Sequence, residues 1–310
     1  MSDGAEKLGS DSNFRAEKSG SDSNFRTPRD DATDRPRKLE SDPDFSNFPA
    51  VEARTARLRA GLGPLRSLVA VVVFLLAWQY AVPLIGVPDY VLPLPSVIAA
   101  RFVDTLPLQI ANLGVTAMTT LVGLAIALVV GVLLALLVVY VEGVKSIVMP
   151  FLAAFNSIPK IAIAPLFVIW FGLGVESKIL LAFLLALFPI FVNSVTGLGE
   201  IEPDILDLSR LAGGSPYRVF TMVRLMHATP YIADALKVAF PLALVGSIVG
   251  EFIGGNRGIG QLILAAQFNL DTPLVFAALL SITIFTTLGI GVITLFERRF
   301  LKWRPSQRTR

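Results

Sequence analysis

Six long apolar stretches decide what this chain can fold into. They lie near Ser67–Val87, Asn112–Tyr140, Val144–Phe171, Ile179–Leu198, Ile232–Ile253 and Leu274–Phe296. Crossing about 30 Å of hydrocarbon takes about 20 helical residues, and each stretch is long enough. Backbone N–H and C=O groups find no water in hydrocarbon, so runs of this length must bond internally as α-helices. The strands of an outer-membrane barrel would alternate apolar and polar residues over about 10 positions, and these runs do not alternate. The sequence therefore predicts an all-α membrane protein with six transmembrane helices.

Composition agrees. Of 310 residues, 54% are hydrophobic and 16% charged, against about 25% charged in an ordinary soluble domain. So much apolar surface does not fit one soluble core. The absence of cysteine excludes a disulfide scaffold and any zinc or haem site built on thiolates.

Residues 1–66 are different. They hold 12 Lys/Arg and 12 Asp/Glu, so the whole net charge of +3 lies beyond them. Ala5–Arg15 (AEKLGSDSNFR) recurs as Ala16–Arg26 (AEKSGSDSNFR), a tandem repeat of 11 residues. That unit is too short for a solenoid, and its few aromatics cannot offset the cost of ordering the chain. The expected organisation is a disordered cytoplasmic tail over 1–66, a membrane domain over 67–304 and a basic end over 305–310. No secretory signal peptide is read, because no short basic region adjoins the first apolar run.

Lysine and arginine set the orientation. With six spans, the side of the termini also carries Lys145, Arg210, Arg218, Arg224 and Lys237, and residues 297–310 add six Lys/Arg against Glu297. The opposite side carries Arg101, Lys178 and Arg257. The positive-inside rule then places both termini in the cytoplasm.

Chemistry is sparse. There is no G-x-x-x-x-G-K-[ST] phosphate loop. Gly254, Gly255, Gly258 and Gly260 do not form G-x-G-x-x-G. One histidine, His227, and no cysteine leave no plausible metal or thiol site. Ser247 and Ser281 have no basic partner nearby in sequence, and membrane serines more often bond between helices. No catalytic residue, metal, cofactor or nucleic-acid partner is assigned to this chain.

The most informative segment is the loop Gly199–Tyr231 between spans four and five. Asp204–Ala212 is expected to form a short helix ended by Gly213-Gly214. Ser215 then caps a second helix with Pro216 at its first position. Val219, Phe220 and Val223 share an apolar side. A helix–glycine–helix at a membrane surface suits docking into another protein's groove.

At these residues the chain resembles the permease subunits of binding-protein-dependent ATP-binding-cassette importers, whose loop reads E-A-A, three residues, G, and about nine residues on a V-x-L-P-x-x-x-P-x-I ending. Gly213 matches the glycine, and Val223, Leu225, Pro230 and Ile232 match the ending. Asp207-Leu208-Ser209 stands where E-A-A is usual, and Met226 replaces the first proline. Ile158-Pro159-Lys160-Ile161-Ala162, Trp170-Phe171-Gly172-Leu173-Gly174 and Gly258-Ile259-Gly260-Gln261 resemble the branch handling nitrate, sulfonates, taurine, thiamine pyrimidines and riboflavin. The resemblance covers most of Ser67–Arg304. It implies a coupling loop, with Asp207, Arg210, Gly213, Ser215, Val223, Leu225 and Pro230, that contacts a separate ATPase holding the ATP. It also implies a second permease chain, usually identical, and an external solute-binding protein. Transport would then run by alternating access, with no chemistry in this chain.

Three polar residues are candidates for the translocation path: Asn156, Lys160 and Glu251. Lys160 falls near the middle of span three, where a charge is costly and marks a functional site by default. Either it faces the path and attracts an anion, or it bonds to carbonyls freed by Pro150, Pro159 and Pro165. Glu251 is read as an interfacial carboxylate, a partner of Arg257, or part of an outer gate. Gly246, Gly250 and Gly254 give span five a smooth face for packing within one chain or across a dimer. Asp234 and Lys237 are expected to pair locally, and His227 to sit on the loop surface. The rival function is an ion-coupled secondary carrier, which would favour inverted repeats and a carboxylate or histidine relay.

Overall fold

The computed structural model describes residues 49–141 and 143–301. The chain divides into two units, Met1–Leu65 and Arg66–Arg310. In the first, the described residues 49–65 are helical. They fall in the segment expected to be tail, and Ala53–Ala60, rich in alanine, arginine and leucine, has the composition of a good helix former. The tandem repeat and the basic end 305–310 lie outside the described residues.

Among the described residues there are eleven α-helices and no strand. They are α1 (Pro49–Ile85), α2 (Pro95–Asp104), α3 (Leu106–Tyr140), α4 (Val144–Ser157), α5 (Lys160–Phe171) and α6 (Val175–Gly199). After them come α7 (Pro203–Leu211), α8 (Pro216–Val219), α9 (Leu225–Gly254), α10 (Ile259–Phe268) and α11 (Thr272–Phe300). Five helical segments are long and apolar enough to cross a membrane: Leu68–Ile85, Leu106–Tyr140, Val175–Gly199, Pro216–Gly254 and Thr272–Phe300.

The run Val144–Phe171 is broken, as expected, but at only one of its three prolines. It is two helices with a break at Ile158-Pro159. Their 14 and 12 residues span about 21 and 18 Å, so neither crosses alone. Proline disfavours the helical conformation of the residue before it, which stops α4 ahead of Pro159. Pro150 and Pro165 lie inside α4 and α5 without ending them, contrary to expectation.

The core is the contact of α3, α6 and α9. Leu124, Ala127, Ala182, Ala186, Ile190, Ala235, Ala239, Phe240 and Ala243 form one buried cluster. Ala135, Val138, Phe191, Val195, Leu198 and Ala228 form a second. Alanine and glycine dominate because lipid tails are as apolar as leucine, so close van der Waals approach drives helix pairing. A Cβ on Gly246 would lie 2.6 Å from the Leu181 carbonyl oxygen, and one on Gly250 would lie 3.0 Å from the Lys178 Cα. A Cβ on Gly254 would meet Leu173 and Val168. The glycine stripe of α9 therefore packs within this chain, on α6 and the end of α5.

The membrane-length part of α1 is peripheral. Its side chains from Leu68 to Leu76 are largely exposed, and Val82 is its buried apolar residue. Trp78 packs edge-on against Phe276, and Gln79 exchanges hydrogen bonds with Ser96 at the start of α2.

Candidate functional site

The loop between α6 and α9 takes the expected local form. Pro203 opens α7, and the chain turns at Gly213 with φ +78°. The Ser215 hydroxyl accepts a hydrogen bond from the Arg218 N–H at 3.3 Å, capping α8. A π-helical turn, Phe220–Arg224, leads directly into α9. The fifth long helical run therefore begins well before the Ile232 expected. Met226 supplies a backbone N–H that a proline there would lack. Pro230 lies inside α9.

Two faces of this loop differ. Val219, Phe220 and Val223 are half-buried, and Phe220 packs edge-on against Tyr140 at the end of α3. The apolar side named from the sequence thus rests on the chain's own core. The outward side is α7, which has no buried residue. Ile205, Leu208 and Leu211 follow each other at three-residue spacing with exposures of 46, 69 and 86%. Exposed apolar surface of this kind often marks a contact site. Asp207 and Arg210 form an exposed ion pair at 3.3 Å beside it. His227 is not a surface loop residue: it lies in α9, half-buried, with Nδ1 2.8 Å from the Gly197 carbonyl oxygen.

Gly213→Ala isolates the turn. Nothing lies within 4 Å of its Cβ position, so the cost is the left-handed backbone alone, about 1–2 kcal/mol. Local opening of the loop, read as its cleavage rate by dilute trypsin, should rise about tenfold. An unchanged rate would mean the turn does not hold α7.

Lys160 begins α5 directly after the break. Its Nζ donates to the Asn156 carbonyl oxygen at 3.0 Å and to Asn156 Oδ1 at 2.7 Å. An ammonium at the open C-terminal end of α4 meets carbonyls that have lost their helical partners and the negative end of the helix dipole. Asn156 and Lys160 thus come together, as i and i+4 across a broken helix.

Glu251 departs from the interfacial reading. It is fully buried, because the Gly255–Gly258 turn and α10 fold back over it. One carboxylate oxygen accepts from the Thr116 hydroxyl at 2.8 Å, the other from the Gly260 N–H at 2.8 Å. Gln261 Nε2 donates to the Glu251 carbonyl oxygen at 2.7 Å. Thr116 Oγ1 also accepts from the Ile259 N–H at 2.9 Å, and Asn112 Oδ1 from the Gly258 N–H at 3.1 Å. Among the described residues neither Arg257 nor Lys178 forms an ion pair with the carboxylate. Lys178, 4% exposed, donates to the Arg257 carbonyl oxygen at 3.0 Å. Gly258, at φ +127°, sits against the carboxylate where a Cβ would collide with it.

Sequence reasoning missed Asn112, Thr116, Lys178 and Gln261. The signal was a polar stripe on an apolar helix: Thr105, Gln109, Asn112, Thr116 and Thr119 alternate spacings of four and three, which is one helical face. Gln109 accepts from the Ser281 hydroxyl of α11, and Thr119 shares a hydrogen bond with Ser247 of α9. Both serines therefore act between helices.

Comparisons with known proteins fit this arrangement. Residues 127–302 match the family described as binding-protein-dependent transport system inner membrane component. The formylaminopyrimidine transport permease protein ThiX of Halalkalibacterium halodurans is 35% identical over 74% of this chain and 92% of its own length. The riboflavin transport system permease protein RibX of Chloroflexus aurantiacus is 32% identical over 77% of this chain and 90% of its own length. The putative aliphatic sulfonates transport permease protein SsuC of Bacillus subtilis is 27% identical over 84% and 95%. Among solved structures, an inward-facing form of the MetNI methionine ABC transporter shares the fold at TM-score 0.56 and 20% identity, over 63% of this chain and 97% of that one.

Proposed function

The chain belongs to the inner membrane components of binding-protein-dependent transport systems, in the branch of the ABC permeases for sulfonates and taurine, and on that premise we propose that it forms the membrane pathway of an ATP-driven importer. The observation that carries this reading is the exposed α7 stripe beside the Gly213 turn, in a chain whose relatives are transport permeases. The solute is small and anionic or heterocyclic, since the relatives are named for formylaminopyrimidine, riboflavin and aliphatic sulfonates.

In this reading α4 and α5 together supply a sixth crossing, and both termini face the cytoplasm. The α7 loop, with Asp207, Arg210, Gly213 and Ser215, docks on a separate ATPase, which binds the ATP. A second copy of the chain completes the pathway, and an external binding protein delivers the solute. ATP binding draws the docked loops together, and the packed unit of α3, α6 and α9 tilts to change which side is open.

Reconstitution with an ABC ATPase and a solute-binding protein tests this directly. Solute uptake into proteoliposomes should require all three components. Uptake by this chain alone, driven by an ion gradient, would restore the secondary-carrier alternative. Lys160 and Asn156 are assigned to the path, with Lys160 attracting the anion. Lys160→Met should lower uptake of an anionic solute about tenfold, the scale of one charge-assisted hydrogen bond. Unchanged rate and affinity at normal expression would remove Lys160 from the path.

A further inference from the structure

Two neighbouring cavities, of about 160 and 290 Å³, lie beneath the α7 loop and share one wall, the Arg224 side chain. The smaller is lined by Tyr140, Leu206, Arg210, Pro216 and Arg224. Its volume holds several water molecules or one phosphate group. Arg224 is fixed before anything binds. Its guanidinium stacks over the Tyr140 ring at 5.2 Å, and Nη1 donates to the Leu198 carbonyl oxygen at 2.9 Å. Among the described residues no carboxylate lies within 4 Å of Arg224. Arg210 also lines the smaller cavity, held by Asp207 in a pair whose side chains are 68 and 67% exposed. Such a pair is worth little and yields readily to a second anion. The larger cavity adds Lys145, with Glu200 as an opposing charge on its lining.

We propose that the smaller cavity is a binding site for a phosphate-bearing anion, clamped between the guanidiniums of Arg210 on α7 and Arg224 at the root of α9. Guanidinium forks match phosphate oxygens in pairs. One of the two is already immobilised by its ring and carbonyl contacts, so little side-chain freedom remains to be lost on binding. Bound there, the anion ties α7 to the α3–α9 body, so the stiffness of the loop follows phosphate supply. That last consequence rests on the docking reading above; the binding does not. The phosphate comes from a lipid headgroup or from free phosphate, and the two are separable.

The test uses the purified full chain in detergent, without any ATPase, so its outcome is independent of transport. Bound phosphatidylglycerol is counted by native mass spectrometry, and bound inorganic phosphate by equilibrium dialysis at constant ionic strength. At least one probe should bind, and Arg224→Gln should weaken it about tenfold. Arg210→Gln, an exposed position that cannot unfold the chain, should weaken it severalfold. Arg257→Gln, a cation removed elsewhere, should leave it unchanged. Retention of phosphatidylglycerol alone identifies a headgroup site, and retention of inorganic phosphate a site for a free anion. Equal binding by wild type, Arg210→Gln and Arg257→Gln, or no binding of either probe, overturns the proposal.

Discussion

Glu251→Ala should strip about 3–5 kcal/mol from the folded chain, the loss of two buried hydrogen bonds to a carboxylate at about 1.5–3 kcal/mol each. The Gly260 N–H loses its acceptor. The Thr116 hydroxyl loses the carboxylate and keeps only the Asn112 carbonyl oxygen at 3.3 Å. Against a total stability of about 5–15 kcal/mol, the loss removes about a fifth or more. Glu251→Gln should fall between, since the amide oxygen still accepts one bond while its NH₂ meets donors. Thermal melting of the purified chain in detergent reads the series. Coincident midpoints for the two variants and wild type would mean the carboxylate is a passenger.

Gly246→Leu should be nearly as harmful for a different reason. The positions its Cβ would meet are backbone atoms of α6: the Leu181 oxygen at 2.6 Å, the Leu181 carbonyl carbon at 2.7 Å and the Ala182 Cα at 2.8 Å. No rotamer change relieves a clash with backbone. The two helices must move apart, which loosens the buried alanines between them. Overpacking a core with side chains that can adjust costs about 1–3 kcal/mol, so about 3 kcal/mol or more is expected here. Gly291→Leu provides the contrast, as nothing lies within 4 Å of that Cβ position, and leucine favours helix over glycine by a few tenths to about 1 kcal/mol. The folded fraction of a fluorescent fusion in membranes should collapse for Gly246→Leu and hold for Gly291→Leu. Similar yields for both would contradict the close α6–α9 contact.

Much of this architecture was legible because hydrocarbon leaves the backbone one solution. Five of the six apolar runs correspond to long helices, and the Gly213 turn and Ser215 cap lie where local turn chemistry put them. In the run Val144–Phe171 the prolines signalled a broken helix, but not which of them would break it. Pro159 ends a helix, whereas Pro150 and Pro165 do not, and only the surrounding packing separates the cases. Glu251 was read as an interfacial carboxylate because its place near the outer end of the span was all that the sequence showed, whereas it is buried. Its real partners, Thr116 and Gly260, are brought in by α3 crossing α9 and by α10 folding back. The apolar side of the second loop helix was visible, but not that Tyr140 would occupy it. The exposed face had to be read from α7 instead. The Lys237 pair with Asp234 was plain from spacing. The second partner, Glu297 on α11, lies across the fold and left no local trace.

The polar lacing around Glu251 has a mechanical corollary. It binds α3, α6, α9 and α10 together at one end of α9, while the other end carries α7, which buries nothing. The other end of α9 is packed as well, with Ala228 in the core and His227 on the Gly197 carbonyl oxygen, so α3, α6 and α9 move as one body. The 30 residues of α9 give that body a length of about 45 Å. In the proposed cycle a tilt of about 5° about the laced end would carry α7 through about 4 Å. The buried carboxylate would then sit at the pivot, and small rotations at the lacing would become ångström-scale strokes where α7 is carried.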